Sequence, residues 1–188
     1  MKTLALLSIF GLLAFAASDS YQFQRDSVIE ISGTSNVRAW SCEASQMAGT
    51  MMATTDGRRV TDVSGVTVTV PIQQIDCGNG QMNGKVREEL GANSSNFVRF
   101  NLSNATIGAV DAQGNTTVNA TGRLAIAGTT KTINVTAKAE PLSGNRMRLT
   151  GQVPLAMTNF GISPPTAMLG ALRTADDVTV SFNVVVAR

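Results

Sequence analysis

The chain contains no histidine. No Ser-His-Asp or Cys-His catalytic arrangement can therefore form, and the usual zinc ligand sets are missing too. No glycine-rich loop stands between a strand and a helix, so a phosphate-binding loop has no support. The acidic pairs Glu88-Glu89 and Asp176-Asp177 read as solvated charges on a helix and in a turn. These absences predict a protein that is not an enzyme and that holds no metal or cofactor.

Charged residues are scarce, at 15% of the chain, and the two signs nearly balance, with Lys+Arg 15 against Asp+Glu 13. A net charge of +2 with dispersed basic residues gives no support for binding nucleic acid. Threonine, asparagine, serine and glycine are abundant instead. Such polar, uncharged surfaces are typical of exported β proteins.

Long apolar runs are also missing, apart from residues 4–17, which follow Lys2 and end in small residues. This pattern predicts a secretory signal peptide over residues 1–18, too short to span a bilayer; a retained N-terminal anchor is the alternative. Removing the leader leaves residues 19–188 as one domain, with no later run long enough to cross a membrane. The expected location is periplasmic or secreted.

Only two cysteines occur, Cys42 and Cys77. An even count in an exported chain favours a disulfide, which would stabilise the fold by roughly 3–4 kcal/mol through loop closure. Two free buried thiols are the alternative.

What the sequence does contain is a set of strand patterns. Apolar residues alternate with polar or small ones over residues 147–157 and again over 178–186. This period of two puts one face of a strand in an apolar environment. The loop between these two strands is long and partly apolar, and it is expected to hold a helical turn near residues 165–172. With turn signals every 8–12 residues or so elsewhere, the pattern predicts about eight antiparallel strands in a sandwich or barrel.

A single short helix is predicted at about residues 82–90. Met82, Val86 and Leu90 are spaced by four, and Gly91 stands at the expected C-terminal cap. The apolar stripe is narrow, so the helix should lie over the barrel and not inside it.

The strand patterns alone do not determine what fills the interior. An eight-stranded barrel is just wide enough to fill itself with side chains or to enclose one slender ligand. A solid core would make the protein an exported structural or stress-response domain without a ligand. Trp40, the only tryptophan, fits either core packing or a cavity wall.

Several segments, taken in order, resemble the YceI-like family of exported, lipocalin-like β-barrels that bind polyisoprenoid lipids. The best single piece is Gly122–Lys131, similar to the family's G-x-L-T-I-x-G-x-T-K pattern. The chain departs from the family at Arg87-Glu88-Glu89-Leu90, where members often carry Arg-Asp-x-His-Leu. The other matching segments are residues 26–31, 66–76, 83–90, 98–100, 160–162 and 178–180.

The resemblance implies an all-β, eight-stranded, lipocalin-like barrel that carries or stores an isoprenoid lipid, such as a polyprenol or isoprenoid quinone, without catalysis. It also leaves room for transient membrane contact and for a homodimer. Strand parity then selects the residues expected to line the pocket, although a one-residue slip in register would turn each set outward. These residues are Phe100, Leu149, Leu155, Phe160, Phe182 and Val184.

Overall fold

The computed structural model describes residues 18–91 and 95–188, except for the side chains of residues 167 and 168. The predicted leader falls almost wholly on residues 1–17, outside the described residues. Within the described part, the chain forms twelve β-strands and one α-helix. They are β1 (Asp19–Phe23), β2 (Val28–Ser35), β3 (Ala39–Ala44), β4 (Ala48–Asp56), β5 (Arg59–Pro71), β6 (Ile75–Asp76), α1 (Gly80–Glu89), β7 (Phe97–Val110), β8 (Thr116–Ile126), β9 (Thr129–Pro141), β10 (Arg146–Ala156), β11 (Thr166–Ala167) and β12 (Leu172–Ala187).

Eight of the strands form a closed antiparallel ring in the order β1-β4-β5-β7-β8-β9-β10-β12. The ring closes where β1 pairs with β12, with Gln22 opposite Ala187 and Phe23 opposite Val186. The predicted all-β barrel of about eight antiparallel strands is therefore confirmed. The predicted antiparallel pair also lies side by side, as β10 and the longer strand β12.

Strand β12 changes partner along one of its edges. It pairs with β2 as far as Asn183 opposite Val28, and with β1 near its end. Ser27 fills the gap between them: its buried Oγ donates to the Val185 carbonyl at 3.2 Å and accepts from the Val185 N–H at 3.0 Å. A side chain thus replaces one missing rung of the ladder. From β2 the wall continues through β3 to β6.

Helix α1 begins two residues earlier than predicted. The Asn79 side chain caps it by accepting hydrogen bonds from the backbone N–H groups of Gln81 and Met82 at 3.0 and 3.1 Å. This is the N-cap geometry that asparagine favours. The helix ends as expected, because Gly91 adopts a positive φ of 73° just after it.

Two short helical turns interrupt the loop between β10 and β12. One, Met168–Gly170, lies where a helical turn was predicted. The other, Met157–Phe160, was not predicted, because Met157 simply continues the alternation of β10. It ends at Gly161, whose φ of 74° reverses the chain.

The two ends of the barrel differ. The hairpin end carries the β4–β5, β7–β8 and β9–β10 turns, and a buried apolar cluster including Tyr21, Met51 and Met147 lies in the barrel nearest to it. The helix end carries α1, the β2–β3 turn and the loop from residue 161 to 171. Cys42 and Cys77 form a disulfide with an S–S distance of 2.07 Å, so the alternative of two free thiols is wrong. In the described part of the chain, no helix is both long and apolar enough to cross a bilayer.

Candidate functional site

The barrel encloses a cavity of about 920 Å³. This volume lies near the top of the range of about 300–1,000 Å³ that is common for small-molecule sites. Its wall is formed by the inward faces of the ring strands, by β2 and β3, and by one face of α1. The interior is therefore not the solid core that the alternative interpretation required.

All six residues predicted from strand parity lie on this wall. Two come from β10, two from β12, one from β7 and one from the Met157–Phe160 turn. They are Phe100, Leu149, Leu155, Phe160, Phe182 and Val184. Their role in holding a ligand stays a prediction.

Sequence reasoning missed the part of the wall made by α1. Met82, Val86 and Leu90 were recognised as an apolar stripe, but the structure shows that they also line the cavity. Trp40 lines it as well, from β3. The spacing of Met82, Val86 and Leu90 by four residues was enough to predict the apolar face of the helix. No local sequence pattern indicated that this face would cover the cavity.

Three aromatic rings of the wall lie directly over glycines of neighbouring strands. The pairs are Trp40 over Gly33, Phe100 over Gly122, and Phe182 over Gly151. A Cβ atom at any of the three glycines would lie less than 3.0 Å from a ring carbon. Glycine inside a strand often marks such a close approach. Each glycine therefore lets a ring lie against the sheet, which leaves the lumen open.

The disulfide joins β3 to the segment just before α1, and both cysteines lie on the cavity wall. The same segment is held by Asn83, whose Oδ1 accepts from the Cys77 N–H at 2.6 Å and whose Nδ2 donates to Asp76 at 2.9 Å. The Asn83 amide, and then the Gly78 backbone N–H, hold the pKa of Asp76 below its usual range. The start of α1 is thus fastened to the barrel by a covalent bond and by hydrogen bonds.

The turn that carries Phe160 is fastened in a similar way. The Asp176 carboxylate accepts from the Thr158 hydroxyl at 2.6 Å and from the Thr158 backbone N–H at 2.9 Å. These two bonds, the hydroxyl first, lower the pKa of Asp176. Phe160 itself is 3% exposed and packs beside Leu124 and Ile162.

Polarity divides the cavity along its length. Toward the hairpin end the wall is apolar, with residues such as Phe23, Met51, Val118 and Val184. The wall residues with polar side chains all belong to the helix end, and so do the solvent-exposed ones, so this end is the mouth. The polar wall residues are Ser35, Arg38, Ser41, Asn79, Gln81, Lys85, Glu89, Thr166 and Thr174.

Of the two basic side chains at the mouth, Lys85 is paired with carboxylates and Arg38 is not. Lys85 lies 2.9 Å from Glu89 and 3.2 Å from Glu88, and these carboxylates, Glu89 first, raise its pKa. Arg38 is exposed and makes no ion pair with any described residue. Among the described residues, no group of three or more carboxylate or cysteine side chains is arranged to hold a metal ion.

A family model for the YceI-like domain matches residues 21–186 of the chain. The chain belongs to the YceI-like family. This confirms the family that the segment resemblance suggested. Among curated proteins, no sequence matches the chain.

Solved structures of this YceI-like fold superpose on most of the barrel. BcnA of Burkholderia cenocepacia is 22% identical and has a TM-score of 0.63, over 85% of this chain and 94% of its own. A polyisoprenoid binding domain of Saccharophagus degradans is 12% identical, with a TM-score of 0.68 over 89% and 97% of the two chains. The YceI protein of Campylobacter jejuni is 14% identical, with a TM-score of 0.59 over 77% and 82%. At these identities the likeness establishes the fold.

Proposed function

We propose that this YceI-like protein carries or stores a long-chain isoprenoid lipid, such as a polyprenol or isoprenoid quinone, in its barrel without catalysing a reaction. The observation that carries the proposal is the division of the cavity into an apolar interior and a polar mouth. A molecule with a long apolar tail and a small polar head matches this division. The polyisoprenoid binding domain of S. degradans shares the fold and supports the choice of lipid class.

Burial of the tail provides the driving force. Each buried methylene group contributes roughly 0.8 kcal/mol, so a few isoprene units supply enough free energy for stable binding. Rings that lie over wall glycines, such as Phe100 over Gly122 and Phe182 over Gly151, leave space for a branched chain in the lumen. At the mouth, hydroxyl, amide and charged side chains can solvate a polar head group.

The proposal includes export to the periplasm or outside the cell. It is supported by the leader pattern at the N-terminus and by the disulfide, since disulfides persist in oxidising compartments. The absence of catalysis is supported by the wall itself. Among the described residues, the acidic side chain of the cavity wall is that of Glu89. It is paired with Lys85 and lies at the mouth, away from the apolar interior.

The proposal can be tested by extraction and reloading. The purified protein is extracted with organic solvent for mass spectrometry, then titrated with a short-chain isoprenoid quinone while the fluorescence of Trp40 is followed. Because Trp40 lies on the wall, a bound quinone should quench it. Recovery of an isoprenoid, or saturable quenching, is expected; failure of both would reject the proposal.

A matched pair of variants shows where the quinone binds. Ala120→Phe adds a ring on the cavity side of β8, whereas Ala125→Phe makes the same change on the opposite face of that strand. Displacing two methylene equivalents, at about 0.8 kcal/mol each, weakens binding at least about tenfold. Ala120→Phe should therefore bind the quinone at least about tenfold more weakly than the wild type. Ala125→Phe should bind it with unchanged affinity. Equal affinities in the two variants would place the ligand outside the barrel.

A further inference from the structure

Two large apolar side chains project into solvent at the helix end. Val37, in the β2–β3 turn, is 68% exposed, and Leu169, in the Met168–Gly170 turn, is fully exposed. Single exposed apolar residues are ordinary on protein surfaces. These two, however, belong to neighbouring loops beside the same opening. The other large apolar residue exposed among the described ones, Val110, lies at the hairpin end at 38% exposure.

Hydrogen bonds hold the two loops together. The Asn36 side chain donates to the Ala171 carbonyl at 2.9 Å and accepts from the Arg173 N–H at 2.9 Å. The Asn36 backbone N–H donates to the Arg173 carbonyl at 3.0 Å. We name the combined surface, residues 35–38 and 169–173, the docking rim. Its two apolar tips are thus presented by one connected piece of structure.

The docking rim is positively charged. It contains Arg38 and Arg173 and no acidic residue. Neither guanidinium makes an ion pair among the described residues, and the Arg173 guanidinium donates a hydrogen bond to the Gly170 carbonyl, at 3.0 Å. The nearest following carboxylate, Asp176, is engaged by Thr158. By contrast, the ion pairs of Arg146 with Asp26 and of Lys138 with Asp111 lie at the hairpin end.

The docking rim is continuous with the mouth of the cavity. Ser35, Arg38 and Leu172, the first residue of β12, belong both to the rim and to the cavity wall. Whatever surface the rim contacts therefore faces the opening.

We infer that the docking rim binds the surface of an anionic lipid bilayer. Val37 and Leu169 enter the interfacial region, where apolar side chains gain from leaving water, and the two arginines contact lipid phosphates. Docked in this way, the mouth faces the bilayer, so a lipid tail can pass between membrane and barrel without crossing water. The transfer step rests on the proposed function, whereas binding to the bilayer can be measured without it.

The test is co-sedimentation of the full mature protein with vesicles. One set contains phosphatidylcholine alone and the other contains phosphatidylcholine with phosphatidylglycerol. We expect the protein to sediment with the anionic vesicles and to be released by salt, because screening weakens surface charge interactions. Removing both positive charges in R38Q/R173Q should weaken binding about thirty-fold, given the contribution of each arginine near an anionic surface. Removing both apolar tips in V37S/L169S should weaken it about tenfold or more.

Two controls make the same chemical changes at the hairpin end. Val110→Ser removes the exposed apolar residue there. Arg58→Gln removes an arginine that donates to a backbone carbonyl, Pro141, as Arg173 does to Gly170. Both controls should sediment like the wild type. Thermal unfolding of all variants identifies any that fail to fold. If V37S/L169S fails to fold, the single variants Val37→Ser and Leu169→Ser are tested in its place.

Three results would overturn the inference. The first is that the wild type does not bind vesicles, and the second is that rim and control variants lose equal vesicle affinity. The third is a dimer that V37S/L169S abolishes while no vesicle binding occurs, which would make a second copy of the chain the partner. Quinone quenching of Trp40 in V37S/L169S separates this inference from the proposed function. That variant should bind the quinone like the wild type even when it no longer sediments. A wild type that binds vesicles but no isoprenoid would reject the proposed function and leave the docking rim in place.

Discussion

Replacing Gly33 by alanine should push the indole of Trp40 away from the barrel wall. A Cβ at Gly33 would lie 2.5 Å from Cζ2 and 2.8 Å from Cε2 of that ring. Carbon atoms pack at about 3.5–4.0 Å, so the ring must move by about 1 Å or more. The three nearest neighbours of the new methyl group are indole atoms, so the ring is the first group that has to move.

The magnitude follows from three contributions. Overpacking typically costs about 1–3 kcal/mol. Loss of the hydrogen bond from Trp40 Nε1 to the Thr34 carbonyl, 3.3 Å long, adds roughly 0.5–1.5 kcal/mol. The lower conformational entropy of alanine in the unfolded chain offsets about 0.4–1 kcal/mol. We expect a net destabilisation of roughly 1–3 kcal/mol, which lowers the melting temperature by about 3–10 °C for a domain of this size.

Two measurements check this prediction. Thermal unfolding reports the stability, and the emission of Trp40, the only tryptophan, reports the position of the indole. The displaced ring narrows the lumen, so quenching by an isoprenoid quinone should also require more quinone. The matched control is Gly84→Ala on the exposed face of α1, where an added Cβ has no neighbour within 4 Å. It should stabilise the protein by about 0.5–1 kcal/mol and leave the emission unchanged. A Gly33→Ala protein with wild-type emission and melting temperature would refute the reasoning.

Three further predictions concern what holds the barrel together. Ser27→Ala should cost about 1–3 kcal/mol in urea unfolding, because the buried Val185 N–H loses its partner. Reducing the disulfide, which spans 35 residues, should cost about 3–4 kcal/mol, or roughly 10 °C in melting temperature. Asp176 has a lowered pKa in the folded state, so its contribution to stability is complete above the unfolded value of about 4 and is lost as pH falls below it. Asp176→Asn should therefore destabilise the protein at pH 7 and make the acid limb of its stability profile shallower.

Each of these has its own control and its own contrary outcome. Ser143→Ala, in the exposed turn between β9 and β10, should leave stability unchanged. A Ser27→Ala protein that is equally unaffected would mean that the Val185 backbone N–H finds another partner. For the disulfide, complete reduction is first confirmed by thiol titration. An unchanged melting temperature of the reduced protein would then contradict the expected loss of stability. For the Asp176 carboxylate, Asp177→Asn is the control, because the neighbouring Asp177 carboxylate makes no hydrogen bond or ion pair with a described residue. Identical acid limbs in wild type and Asp176→Asn would show that the bonds to Thr158 do not contribute.

The sequence by itself determined the eight-stranded barrel, its helix and the parity of the wall. Val178, Val180, Phe182 and Val184 alternate with polar residues, and this period alone assigns one face of β12 to the interior. Parity is a local property, so it needs no knowledge of the partner strands. It placed the five predicted residues of β7, β10 and β12 on the wall, whereas Phe160 lies there in a helical turn outside the strands. The ordered motifs around Gly122–Lys131 indicated the family.

Only the tertiary structure decided whether the barrel is hollow. The same alternation of apolar and polar residues would occur in a barrel with a filled interior. The alternation predicts which face a side chain lies on, but not how much of the interior volume the side chains occupy. The cavity depends on pairs that are distant in sequence, such as Phe182 over Gly151, and on α1 covering the opening. The docking rim likewise exists because Asn36 meets Ala171 and Arg173 across more than 130 residues of chain, with separations of 135 and 137. Contacts of this kind are set by strand pairing across the whole ring, and no local pattern records them.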